Sequence, residues 1–313
     1  MNGVAILIAA KDAAATVGRA VGSALAQRAA AEVILVDDGS IDGTAAAAAA
    51  MDDGTGRLRV IRLPDSRGPS AARNRALEAS AAPMACVLDA DDFMLPGRID
   101  RLLAAAGEGW DFAADDLLLA TQGAEAAPHR PMLGLASRTM LGFDAFVAGN
   151  IADPRRPRQE LGYLKPLMRR QFLDRLGLRY DERVRLGEDY LLYAAALARG
   201  ARTHLVPACG YVAVARPDSL SHRHRAEDLL ALAEAEAELE HGSADLPRSV
   251  AAALRRHRQH VMMKYRHRMA LEAKRQRRPL ALARHLFATP ATAWHIAAET
   301  IRARRAALPR VGP

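Results

Sequence analysis

An α/β fold built on a mostly parallel, helix-covered sheet is predicted by three features of the first hundred residues. Short strand-like runs, apolar except for Glu32, recur (Val4–Ala9, Glu32–Val36, Met84–Leu88). Helical runs separate them. Two of the apolar runs end in acidic turns, Asp37-Asp38-Gly39-Ser40 and Asp89-Ala90-Asp91-Asp92. Apolar runs without alternation suit strands buried on both faces, and strands alternating with helices imply βαβ units in a covered sheet.

The elements follow in order. A helical run from about Thr16 to Gln27 comes after the first strand, and one from Thr44 to about Met51 after the second. A further strand is expected near Leu58–Leu63. Pro69 suits the first turn of the next helix, which runs to about Ala79. A strand or hairpin is expected near Asp111–Thr121, leading into a Gly/Pro-punctuated stretch. Short helices are expected near Arg170–Leu176 and Glu188–Arg199, with strands near Thr203–Val206 and Tyr211–Ala215. From about Ala226 the signal is helical, first acidic (Glu227–Glu240), then basic (about Ser249 to Arg278).

The 313 residues are half apolar, which allows a sizeable core. Charge is uneven. Ser249–Pro313 holds 15 Lys/Arg against Glu272 and Glu299, a local charge of +13, so the first 248 residues carry −5 within a total of +8. The basic character therefore belongs to the tail. Two cysteines, Cys86 and Cys209, make neither a disulfide framework nor a zinc site, and a reducing cytoplasm is expected. No charged-then-apolar leader and no bilayer-spanning apolar run is evident.

In parallel α/β sheets, ligands bind outside the carboxyl ends of the strands. For Asp37-Asp38 alone, a turn or helix cap is an adequate explanation. The second cluster is harder to explain structurally. Three carboxylates within four residues repel one another by ~1 kcal/mol per pair at about 4 Å in water, and by several times more near a low-dielectric wall. A hard divalent cation would remove that penalty, and Mg²⁺ or Mn²⁺ held by one or two carboxylates plus a diphosphate suits a sparse Asp-x-Asp.

The segments VAILIAAKD (Val4–Asp12), ILVDDGSIDGT (Ile34–Thr44), GPSAARN (Gly68–Asn74) and VLDADDFML (Val87–Leu95) resemble, in order and spacing, four landmarks of the family 2 glycosyltransferases. Gly187-Glu188-Asp189-Tyr190 resembles the family's Glu-Asp motif. The resemblance spans about residues 3 to 220, and is closest to glucosyltransferases that extend the lipid-linked repeat of succinoglycan-type exopolysaccharides. It implies the GT-A fold, with a catalytic domain over 1–225 and a helical, basic extension over 226–313.

The resemblance also implies roles. Asp38 would accept a hydrogen bond from uracil, with Ala9 and Asp12 beside the base and Arg73 near the nucleotide. Asp89 would contact the ribose and the metal's outer shell, and Asp91 would ligate the metal. Ser221 and His222 would touch the diphosphate, His222 as a further metal ligand. Asp189 would be the general base, with Glu188 in support. Read alone, Arg73 is a helix-surface charge, Glu188-Asp189 an acidic first helical turn, and residues 216–224 a polar turn. One departure stands out. Where the family has Tyr-Asn after the first strand, with its ring against uracil, this chain has Lys11-Asp12, and lost stacking would cost ~1–3 kcal/mol.

The implied reaction is an inverting displacement by an acceptor hydroxyl on a UDP-sugar, UDP-glucose by preference. Leu280, Leu282, Leu286, Phe287, Trp294, Ile296 and Ile301 alternate with arginines in the tail, a composition suited to an anionic membrane surface. A lipid-linked saccharide acceptor and a peripheral position on the inner face of the cytoplasmic membrane follow as expectations. His257, His260 and His267 are expected to be solvated. No nucleic-acid motif is present, and oligomeric state stays open. Two rivals remain: a sugar-1-phosphate nucleotidyltransferase, whose Gly-rich loop after the first strand is missing, and an inert GT-A-like module binding through its tail.

Overall fold

The computed structural model describes residues 3–151, 159–215, 225–242, 246–290, 293, 294 and 296. The N-terminal half alternates as the sequence predicts: β1 (Val4–Ala10), α1 (Val17–Leu25), β2 (Ala30–Asp37), α2 (Thr44–Ala49), β3 (Leu58–Arg62), α3 (Pro69–Ala79) and β4 (Met84–Val87). β1 pairs in parallel with both β2 and β4, and β2 with β3. Val4 to Ile8 are fully buried because helices cover both sheet faces. The chain winds outward from β1 to β3, then returns to β4 on the other side of β1. Such a reversal marks the position at which α/β sheets bind ligands.

The middle of the chain extends the sheet and adds a second one. After β5 (Phe93–Met94) and α4 (Arg98–Ala106) come β6 (Phe112–Asp115), β7 (Leu118–Thr121), β8 (Arg130–Pro131), β9 (Thr139–Met140) and α5 (Phe143–Gly149). A 3₁₀ turn at Leu161–Tyr163 leads to β10 (Leu167–Arg169), α6 (Arg170–Arg175), α7 (Glu188–Ala198), β11 (Thr203–Val206) and β12 (Tyr211–Ala215). The large sheet runs β3-β2-β1-β4-β10-β6-β11-β9 and the small one β5-β12-β7-β8. β6 and β7 are thus not a hairpin. β6 joins the large sheet beside β10 and β11, while β7 pairs with β12 and β8 in the small sheet. The chain changes sheets at Asp116, whose carboxylate accepts the backbone N–H groups of Leu133 and Gly134 at 2.9 and 2.7 Å.

Helices α8 (Ala226–His241), α9 (Arg248–Arg275) and α10 (Pro279–Leu286) complete the described chain. Leu229, Leu232 and Ala233 of α8, with Val250, Ala253, Leu254 and Val261 of α9, belong to the same continuous core as the sheet. His257 and His260 are buried, contrary to the solvated positions expected for them. α9 turns that face inward, where the His257 ring stacks on Tyr190 of α7 at 4.1 Å between centroids. Glu236 of α8 lies between them, receiving the Tyr190 hydroxyl at 2.9 Å and lying 2.7 Å from His257 Nδ1. The extension is therefore fastened to the helix that carries Glu188 and Asp189.

Candidate active site

The carboxyl ends of β1, β2 and β4 lie side by side along one edge of the sheet, and the loops that follow them are stitched together. Asp12, at a left-handed φ of 47°, donates its backbone N–H to Ser40 Oγ at 2.9 Å and accepts that of Ile41 at 3.0 Å. A short polar side chain tolerates this conformation better than most. Ala9 is half-buried beside it. Gly39 has φ 66°, and a Cβ there would stand 2.7 Å from the Ser66 nitrogen, so only glycine fits.

Asp38 is buried, and its carboxylate accepts the Ser66 hydroxyl at 2.8 Å and the backbone N–H groups of Arg67 and Gly68 at 2.7 and 2.9 Å. These bonds fix the residues that begin α3, and the rest of the Gly-Pro-Ser-Ala-Ala-Arg-Asn segment continues the task. Pro69 occupies the helix's first turn. Ser70 Oγ donates to the Val184 carbonyl at 2.6 Å, and Asn74 exchanges hydrogen bonds with both backbone groups of Tyr180 at 2.9 Å each. α3 thereby holds the 180–184 strip that leads into α7.

Arg73 is far from the surface charge it resembles when read alone. It is 5% exposed and binds Asp89 Oδ1 at 2.8 Å, Asp189 Oδ1 at 3.1 Å and Glu188 Oε1. A second buried cation, Lys165, lies 2.8 Å from Asp89 Oδ2 and 2.6 Å from Asp189 Oδ2. Burial opposes both cations, but Asp189 and Asp89 outweigh it and raise their affinity for the proton, helped at Arg73 by Glu188. Burial likewise opposes charge on Asp89, yet Lys165 and Arg73 hold its carboxyl well below the usual range. Glu188 is pushed up, mainly by burial.

The sequence motifs miss Lys165, although a signal exists. It is the lone charge within Leu161–Met168, an otherwise apolar run, and a buried ammonium requires ionised partners. Its carbonyl receives Arg98 Nη2 at 2.7 Å, and Arg98 forms a fully buried pair with Asp115. The motifs miss Tyr211 too. Its hydroxyl accepts the Asp89 N–H at 3.1 Å and donates to Asp92 at 2.8 Å.

α7 begins after Gly187, which has φ 77°. A Cβ there would stand 2.9 Å from Leu232 Cδ2, so a side chain would meet both backbone strain and α8. Glu188 and Asp189 fall in the helix's first turn, where the macrodipole favours carboxylates.

Three carboxylates face two cations at this cluster, and Asp91 adds a further negative charge nearby. Asp92 records the excess. Burial, followed by the charges of Asp89 and Asp91, pushes its carboxyl up to about 8. Among the described residues no three His, Cys, Asp or Glu side chains converge to enclose a metal ion. Asp89 and Asp91 are only partly buried, however, and offer hard oxygen donors in a negatively biased turn. That donor set fits Mg²⁺ or Mn²⁺ sharing its shell with a diphosphate. The Asp91 carbonyl is held by Arg19 at 3.0 Å. Ser221 and His222 lie outside the described residues.

The family model described as Glycosyl transferase family 2 matches residues 5–143. Succinoglycan biosynthesis protein ExoU of Rhizobium meliloti (strain 1021) is 49% identical over 274 residues, 87% of this chain and 79% of the relative. Succinoglycan biosynthesis protein ExoO of the same organism is 37% identical over 231 residues, 73% of this chain and 65% of the relative. Among solved structures, S. aureus TarS 1-349 in complex with UDP-GlcNAc has a TM-score of 0.63 at 14% identity, covering 90% of each chain. The mannosyltransferase PcManGT from Pyrobaculum calidifontis, in complex with GDP-Man and Mn²⁺, has a TM-score of 0.59 at 17% identity, covering 96% of this chain and 80% of that one. Likeness at such identities speaks for the fold. With the ExoU identity, the matched motifs and the likeness in fold together, the chain belongs to glycosyl transferase family 2 and has the GT-A fold.

Proposed function

We propose that the chain transfers a hexose, glucose by preference, from a UDP-sugar to a hydroxyl of a lipid-linked oligosaccharide during assembly of a succinoglycan-type exopolysaccharide. The similarity to ExoU and ExoO supports the pathway, and the solved relative with UDP-GlcNAc supports the donor class. One observation carries the chemistry: Lys165 and Arg73 both join Asp89 to Asp189, and in this reading the first serves the donor and the second the acceptor.

In this reading Asp38, Ala9 and Asp12 border the uracil, Ser221 serves the nucleotide, Arg73 acts on it through Asp89, and Asp91, Asp89 and His222 would hold Mg²⁺ or Mn²⁺. The metal would offset charge developing on the diphosphate leaving group. Asp189 takes the proton of the acceptor hydroxyl as that oxygen attacks the anomeric carbon from the face opposite the diphosphate. Inversion follows, so an α-linked donor gives a β-glycoside. Arg73 and Lys165 orient the base by gripping one carboxylate oxygen each. A lipid-linked acceptor would bring the reaction to the inner face of the cytoplasmic membrane.

The test is UDP release from a panel of UDP-sugars with Mg²⁺ or Mn²⁺, with and without EDTA. UDP-glucose is expected to turn over, and both chelation and Asp91→Ala to abolish turnover. Asp189→Asn should retain UDP binding by calorimetry while transfer falls by roughly 10²–10⁴-fold. Equal transfer by wild type and Asp189→Asn would remove Asp189 from the mechanism.

A further inference from the structure

Helix α10 shows an unusual face to solvent. Its half-buried side carries Ala281, Leu282, His285 and Leu286, while its outward side carries Leu280, Ala283 and Arg284, followed at the helix end by Phe287. Leu280 is 87% exposed and Phe287 78%. Trp294, a further seven residues on, is also 78% exposed. A helix that merely packs on a protein puts polar groups outward, whereas this one keeps apolar groups on both sides. Ile296, by contrast, is buried and is not part of the outward set.

The flanking charge is predominantly positive. Lys274, Arg275, Arg277 and Arg278, at the end of α9 and the turn after it, are exposed, as is Arg284. Glu272 is the one acid in the stretch from 272 to 284, and it is bonded to Arg275 and Gln276. Five exposed cations therefore lie within the same short stretch of chain as Leu280 and Phe287, with exposed Trp294 following.

We propose that this face docks on an anionic lipid bilayer, with Leu280, Phe287 and Trp294 entering the headgroup–acyl boundary and the flanking arginines and lysine binding lipid phosphates. A bilayer supplies both chemistries in one plane, whereas a second copy of this chain would bring two like-charged stretches together. The proposal deepens the lipid-linked-acceptor reading and draws its biological purpose from it. The docking itself is measured without any donor or acceptor.

The experiment is flotation of the full chain with vesicles of phosphatidylcholine alone or mixed with phosphatidylglycerol, across a salt series. Trp294 emission is followed in parallel; the other tryptophan, Trp110, is already 1% exposed and serves as a constant background. Binding is expected only with the anionic vesicles, with a blue shift, and should weaken as salt rises. The triple variant Leu280→Ser, Phe287→Ser, Trp294→Ser should lower the binding constant by about tenfold or more. Arg277→Glu with Arg278→Glu should weaken binding further as a separate variant. UDP-sugar hydrolysis in solution should be unchanged in both variants, which checks their folding. Failure of the wild type to float, or equal flotation by the triple variant, overturns the proposal. So does a concentration-dependent dimer that only the triple variant loses. A wild type that floats but never releases UDP would sink the glycosyl-transfer reading and leave the docking face standing.

Discussion

Two acidic turns, at the ends of β2 and β4 on either side of β1, look alike in sequence, yet their carboxylates meet different partners. At the end of β2, Asp38 is satisfied by a hydroxyl and two backbone N–H groups from one loop, 28 to 30 residues onward. At the end of β4, Asp89 is gripped by two buried cations, Arg73 from α3 and Lys165 from the segment before β10. Neutral donors fix a loop without adding charge. Cations create a charged node whose balance shifts whenever a partner arrives or leaves. The first turn is thus chiefly an anchor for α3, with about one of a carboxylate's four acceptor directions left over. The second is the place where charge is managed.

The comparison is broken most severely at Lys165. Lys165→Met leaves Asp89 and Asp189 with Arg73 alone, and breaking a buried ion pair from one side costs ~3–5 kcal/mol. Urea unfolding should show that loss. UDP release should fall beyond what the lost folded fraction explains, with Lys165→Arg recovering stability better than turnover. Unchanged activity in a folded Lys165→Met protein would mean that the charged node is not part of the reaction.

Asp38→Asn should act more mildly. Two of its hydrogen bonds come from N–H donors, and an amide offers only one oxygen to receive them, so about 1–3 kcal/mol is expected to be lost. Because Asp38 fixes the start of α3, the donor KM should rise more than kcat falls. An equal loss in kcat alone would place Asp38 with the chemistry and erase the distinction between the turns.

The third effect depends on pH and concerns Asp92. Its carboxyl ordinarily titrates at 3.8, and in the fold it is pushed up to about 8, by burial first and then by Asp89 and Asp91. The folded state therefore holds a proton that the unfolded chain releases, and the protein loses stability as pH rises from about 4 to about 8. Asp92→Asn cannot ionise and should remove that slope. With chelator present, the Tm of the variant relative to wild type should climb steadily across this window. A constant difference would assign Asp92 an ordinary titration.

Much of this was legible in the chain. β1 and β4 announce themselves as unbroken apolar runs, and β2 as one interrupted only by Glu32 before its closing Asp37, because helices cover both faces, and β11 and β12 begin and end where their residues predict. Pro69 marks the start of α3. The short strands were not legible. β5, β8 and β9 have two residues each, too few to carry a period, and β10 has three. Adjacency misleads at β6 and β7. Only Asp116 and Leu117 separate the two strands, a hairpin-like spacing, yet Leu117 is buried and each strand joins its own sheet. The basic composition of α9 points to solvated histidines, although its inner face carries His257 against Tyr190 and Glu236.

The sequence by itself determined the sheet's parallel half, the acidic strand ends and the ordered motifs that identify the family, because each is a local pattern of period, turn chemistry or spacing. Only the tertiary structure decided which carboxylates share cations. Lys165 and Asp189 come within 2.6 Å across 24 residues of chain, and Arg73 and Asp189 within 3.1 Å across 116. Charge interactions fall off with distance in space and are indifferent to distance along the chain, so no local pattern could announce them.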